Sequence, residues 1–161
     1  DAGRPRPSGG THPDRADTLV RTLTSPASIA EARALTRQAL IQWGLGDRAD
    51  DAAIAVSELA ANAFCHGAPP VLLVLRHESR HWPPAATATV RDHGVWADAP
   101  VGRAEGPSVP PPDGRLAESG RGLAIVRALV DSLVVSARGP RLGNTATATF
   151  VAGRPLAGTR H

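Results

Sequence analysis

Glu58, Asn62 and His66 are spaced four residues apart in a stretch, residues 50–66, that stops at Gly67 and Pro69-Pro70. On a helix each step of four turns the direction by about 40°, so the three share one face. A carboxylate there can polarise a hydroxyl or a water as a general base. An amide oxygen one turn on is a hard ligand suited to Mg2+. The plainer reading is that this stripe, with Asp51, is where a buried helix meets water.

Three more groups carry potential chemistry. Asp92-His93-Gly94 follows a strand-like stretch. An Asp there can accept a hydrogen bond from an exocyclic amine, and Gly94 leaves the backbone room to pass a flat base; it is also a common turn initiator. Gly120-Arg121-Gly122-Leu123 opens a helical stretch. Free N–H groups and the positive end of the dipole suit phosphate there, although a plain turn has the same composition. Gly143-Asn144-Thr145 enters the last strand, and alone it reads as a hairpin turn. His77 and His81 have no third ligand nearby in sequence and are read as no metal site. Cys65 is read as a small packing residue on a buried side.

These groups must be held by elements that the pattern of residues outlines. Residues 18–23 form a strand candidate. Residues 28–43 read as a helix with Ser28 as N-cap and Gly44 past its end; Ile29, Ala32, Leu35, Ala39 and Trp43 form its buried face. Residues 50–66 read as a helix buried on most sides, since nearly its whole circumference is apolar or small. Residues 71–77 and 86–92 read as strands, the second alternating Thr87, Thr89 and Arg91 against Ala86, Ala88 and Val90. Residues 92–120 hold five prolines and no periodicity, the mark of a long functional loop. Residues 121–131 read as a helix, and 133–138 with 145–151 as a hairpin. Grouped helices and hairpin-joined strands imply an α+β, two-layer α/β sandwich: a mixed, mostly antiparallel sheet covered on one face by helices.

Composition excludes several function classes. The 161 residues suggest one domain, with 42% apolar content enough for a core without staples. All 18 basic residues are arginines. Without lysine there is no Walker A loop, no strand Lys of a eukaryotic-type protein kinase and no Schiff base. The net charge of +3 is scattered and does not argue for nucleic acid. One cysteine excludes an internal disulfide and a cysteine-rich zinc site. No apolar run is long enough to span a membrane, no signal-peptide pattern opens the chain, and a reduced cytoplasm is the expected compartment.

Taken together, the order Glu58-x-x-x-Asn62, Asp92-x-Gly94, Gly120-x-Gly122 and a Thr on the last strand resembles the GHKL (Bergerat-fold) ATP-binding superfamily. The stretch from Ser57 to Gly67 is similar to the helix motif of the bacterial anti-sigma factor serine/threonine-protein kinases. The resemblance spans residues 17–153, leaving 1–16 and 154–161 as tails. It implies ATP and Mg2+ as cofactors, Asn62 as the Mg2+ ligand and Glu58 as the base toward a serine hydroxyl. It implies that Asp92 takes the adenine amine, with Gly94 beside it. Gly120, Arg121, Gly122 and Leu123 would line the phosphates, Thr145 would support the adenine end, and residues 95–119 would form the lid. The implied partners are an anti-sigma factor antagonist, phosphorylated on serine, and a sigma factor, held inactive; a second copy of the chain is a further candidate. Direct binding to nucleic acid or membrane is not expected. Two alternatives stand beside this: a non-enzymatic module of the same fold that grips a partner, and the catalytic domain of a histidine kinase.

Overall fold

The computed structural model describes residues 17–94, 102–105, 121–137 and 143–153. Six strands form one sheet: β1 (Thr18–Leu23), β2 (Val71–Glu78), β3 (Ala85–Asp92), β4 (Gly102–Glu105), β5 (Ser132–Ala137) and β6 (Asn144–Val151). Their order across the sheet is β1-β2-β3-β6-β5-β4. Every neighbouring pair is antiparallel, so the sheet is not mixed. Three helices, α1 (Ser28–Gln42), α2 (Ala49–His66) and α3 (Arg121–Leu129), accompany it, with a 3-10 turn at Gly46–Arg48 before α2. The two-layer α+β architecture read from the sequence is the one observed.

Alternation places the core. Along β6, Ala146, Ala148 and Phe150 are buried while Thr145, Thr147 and Thr149 are half-exposed. β2 and β3 repeat the pattern with Val71, Leu73, Leu75, Ala86, Ala88 and Val90 turned inward. One face of the sheet therefore meets the helices and the other stays open. The helix in the middle is α2, which packs against α1, α3 and the sheet. Ala49, Ala52, Ala55, Ala60 and Ala63 are all buried there, and side chains this small let the helix lie close to its neighbours.

Helix α1 ends where Gly44 (φ +82°) turns the chain back. The Leu45 N–H donates to Leu40 O at 2.8 Å and Gly44 N–H to Ile41 O at 3.2 Å, a Schellman closure. Trp43, just past the end of α1, stacks on His77 of β2 with centroids 5.5 Å apart. The N-terminus differs from expectation. Ser28 is the first helical residue, Ala27 occupies the cap, and no side chain caps the helix. Backbone carbonyls of Ser25 and Pro26 take the Ser28 and Ile29 N–H groups instead.

Two further differences concern α3 and its approach. The helix stops at Leu129, two residues early, because Asp131 N–H donates to Thr149 O at 2.9 Å and commits the chain to the sheet. Residues 102–105, within the stretch read as an aperiodic loop, form β4 and pair with β5. A four-residue edge strand is too short to show a period of two, and the prolines around it hide it further.

A buried ion-pair cluster fastens the layers on the side remote from β1. Arg48 donates to Asp51 Oδ2 at 2.8 Å, Leu129 O at 2.9 Å and Asp131 Oδ2 at 3.1 Å. Asp131 Oδ2 also accepts from Val151 N–H at 2.8 Å. One guanidinium thus joins the start of α2, the end of α3 and the last strand.

Candidate functional site

Asp92 closes β3 directly opposite Asn144 of β6, and both are 2% exposed. Asp92 Oδ1 accepts from Gly94 N–H at 2.8 Å and from Asn144 Nδ2 at 3.0 Å. The same Asn144 nitrogen donates to Gly94 O at 2.9 Å. One carboxylate oxygen is therefore locked, and no hydrogen bond among the described residues engages Oδ2. The result is an acceptor of fixed direction with a free lone pair.

The backbone crowds this carboxylate. Gly143, at φ +68°, has no room for a side chain: a Cβ there would run into the Asp92 carbonyl. At Gly67, which ends α2, a Cβ would lie 2.5 Å from Asp92 Oδ1 and also meet its carboxyl carbon. Gly94 in turn lies against the Gly67 backbone. His93 N–H donates to Ala68 O at 3.0 Å, tying the chain after β3 to the chain after α2. The absent side chains let these backbone segments close tightly around the Asp92 carboxylate and hold it in place.

The other end of the site lies along α2. Glu58 and Asn62 are half-buried on the face that meets the start of α3. A Cβ on Gly122 would lie 2.9 Å from Glu58 Oε2 and 3.4 Å from both amide atoms of Asn62, so glycine sets how closely the helix end approaches. Asn62 Nδ2 is buried without a partner among the described residues. A lone buried amide group costs free energy unless a ligand satisfies it. Rotation of the amide exchanges its oxygen and nitrogen, so the same group can offer a hard oxygen to a cation. Asn62 and Gly67 are five residues apart, about 7 Å along the helix axis.

The structure gathers Glu58, Asn62 and Gly122 at one end and Asp92, Gly94 and Gly67 at the other. It separates other candidates from them. Thr145 opposes Arg91 and alternates with the buried Asn144 and Ala146, so it faces the open side of the sheet. The residue that supports Asp92 is Asn144, one position earlier. Leu123 packs against the core. Arg121 opens α3; Gly120 and residues 95–101 and 106–119 of the expected lid lie outside the described residues. Asp51 belongs to the Arg48 cluster and not to the wet stripe. Burial pushes its carboxyl above the ordinary value of 3.8; Arg48 opposes the shift, while Asp50, Asp131 and Asp47 add to it. Cys65 is exposed rather than packed. His77 bonds Asp17 and His81 bonds Pro83 O.

Among the described residues no helix is long and apolar enough to cross a membrane. Set against known families, residues 23–150 match the one described as the histidine kinase-like ATPase domain. No curated protein matches the chain.

Proposed function

The chain belongs to the histidine kinase-like ATPase domain family, a family of ATP-binding domains, and on that footing we propose that it is an ATP-dependent protein-serine kinase resembling the anti-sigma factor kinases. The nucleotide site is the strip from Asp92 to Gly122. Asp92 Oδ2 accepts from the exocyclic amine of adenine, and Gly67, Gly94 and Gly143 let the backbone close around that carboxylate and hold it in place. Asn62 offers its amide oxygen to Mg2+, and the start of α3 turns its N–H groups toward the phosphates. The cation would neutralise phosphate charge.

In this reading Glu58 takes the proton from the serine hydroxyl of an anti-sigma factor antagonist as that oxygen attacks the terminal phosphorus of ATP, the bond from that phosphorus to the bridging oxygen breaks, and ADP leaves. A sigma factor is the second partner, and the setting is cytoplasmic transcription regulation. The residue types support the assignment. Glu58 and Asn62 lie one turn apart beside Gly122, so base and cation ligand reach the same end of the site.

The observation that carries the nucleotide reading is the Asp92 carboxylate, with Oδ1 held by Gly94 and Asn144 and Oδ2 without a hydrogen bond among the described residues. Calorimetric titration with Mg-ATP and Mg-GTP tests it. Adenine binding is expected and guanine binding is not, because guanine presents a carbonyl where adenine presents the amine. Equal affinity for both, or none for either, overturns it. Phosphate transfer to a protein of the anti-sigma factor antagonist type tests the kinase reading separately. ATP binding without transfer favours the alternative of a partner-gripping module. The alternative of a histidine kinase catalytic domain predicts phosphate on a histidine instead of a serine in the same kind of assay.

A further inference from the structure

Four residues, Gly67-Ala68-Pro69-Pro70, connect α2 to β2 beside the candidate site. At Gly67 a Cβ would run into the Asp92 carboxylate, so backbone and carboxylate are in close contact there. Pro69 and Pro70 carry no backbone N–H. Hydrogen bonds can hold them to a neighbour only through their carbonyl oxygens.

His93 supplies the donors. Its backbone N–H donates to Ala68 O at 3.0 Å, and its ring bonds Pro70 O through Nδ1 at 3.1 Å. A carbonyl can only accept, so Nδ1 carries a proton. The bond made by one ring nitrogen sets the tautomer, which leaves Nε2 bare in the neutral ring. Nε2 makes no hydrogen bond among the described residues. The register puts these contacts in line with the sheet. Leu72 opposes Arg91 in the β2–β3 ladder, so Pro70 runs beside His93. The pairing is thereby extended past the last ladder residue by two bonds, one from the main chain and one from the ring.

We infer that His93 is a positioning residue of the nucleotide site: it clamps residues 67–70 at Ala68 and Pro70, keeps the Gly67 backbone against the Asp92 carboxylate, and so holds the aim of that acceptor. Gly94 and Asn144 fix Oδ1 by hydrogen bonds; Gly67 fixes the group by contact. Without the ring bond the segment can move away, and the carboxylate gains room to turn. His93 acts through Gly67 and Asp92 and not on the nucleotide itself. The consequence for ATP rests on the nucleotide reading; the clamp does not.

His93→Asn, His93→Gln and His93→Ala test this. Asparagine carries a side-chain N–H donor at the δ position, where Nδ1 stands, and glutamine carries it one bond farther out, where Nε2 stands. In the nucleotide-free protein, hydrogen exchange at the Gly94 amide, the donor to Asp92 Oδ1, reads the clamp. Exchange there is expected to be about two- to tenfold faster in His93→Ala and His93→Gln, the worth of one neutral hydrogen bond, and close to the parent in His93→Asn. Amides in the middle of β3 and β6 should keep the parent rate, which separates a local release from a general loss of stability. Calorimetry with Mg-ATP and Mg-GTP reads the consequence. His93→Ala and His93→Gln should weaken ATP by about the same two- to tenfold and narrow the preference for adenine, while His93→Asn keeps both. Parent-like exchange at Gly94 in His93→Ala, rescue by glutamine and not by asparagine, or an unchanged adenine preference in His93→Ala overturns the inference. A parent that binds neither nucleotide overturns the nucleotide reading instead, and the clamp then stands or falls on the exchange at Gly94.

Discussion

Asn144 and Asp92 lie 52 residues apart in the chain and face each other across the β3–β6 ladder. Through one side-chain nitrogen Asn144 holds both the Asp92 carboxylate and the Gly94 carbonyl. This orients the acceptor before any ligand arrives, which lowers the cost of binding. Asn144→Ala is expected to destabilise the fold by about 1–3 kcal/mol, the cost of leaving buried acceptors unsatisfied. It should also weaken ATP. Denaturant unfolding and calorimetry on the same variant check both effects.

Asp92→Ala is expected to weaken ATP about ten- to a hundredfold, the worth of a hydrogen bond to a charged acceptor. Discrimination against guanine should fall with it. An unchanged adenine preference would remove Asp92 from the site.

Gly122→Ala separates fold from function. Alanine in a helix is favoured over glycine by roughly 0.5–1 kcal/mol, so the fold should be no weaker. The new methyl would stand 2.9 Å from Glu58 Oε2 and must displace that carboxylate. ATP affinity and phosphate transfer are therefore expected to drop while the melting temperature holds.

Glu58→Gln should retain ATP affinity and lose transfer, by about 10²–10⁴ in rate if Glu58 is the base. Asn62→Ala should instead lose Mg2+-dependent ATP affinity. Measuring binding with and without Mg2+ alongside a transfer assay distinguishes the two. Transfer at the parent rate in Glu58→Gln would exclude the base role.

Asp51 gives a pH signature. Its carboxyl is raised above 3.8 in the fold, chiefly by burial, so the folded state holds the proton more tightly than the unfolded chain. Stability from this group is greatest below 3.8 and is lost as pH rises through the folded value. Asp51→Asn keeps an acceptor for Arg48 without the titration. Relative to the parent, it should gain stability as pH rises from about 4 toward neutrality. Urea unfolding across that range measures the difference.

Much of the frame was legible because periodicity reports burial. β1 and the buried strips of β2, β3 and β6 follow from residue spacing. Other features depend on partners distant in the chain. Thr145 and Asn144 are neighbours with similar turn chemistry, and only the register against β3 decides which one turns inward. Asp51 reads as the wet end of a stripe until Arg48 and Asp131 are seen around it. Cys65 shares a helical side with Ala61, yet α2 has left the shelter of its neighbours by its last turn. β4 owes its existence to β5, and four residues with one hydrogen-bonded neighbour leave no periodic trace.

The Arg48 cluster gives α3 a fulcrum. Its last carbonyl, that of Leu129, accepts from the Arg48 guanidinium, and Asp131 just beyond is bonded to β6. Its opposite end rests on Glu58 and Asn62. Nine residues make a lever arm of about 13 Å. The Leu129 end of α3 is therefore tied to both the helix layer and the sheet. The anchor of that helix is built from Arg48 and Asp131, residues that stand outside the candidate site.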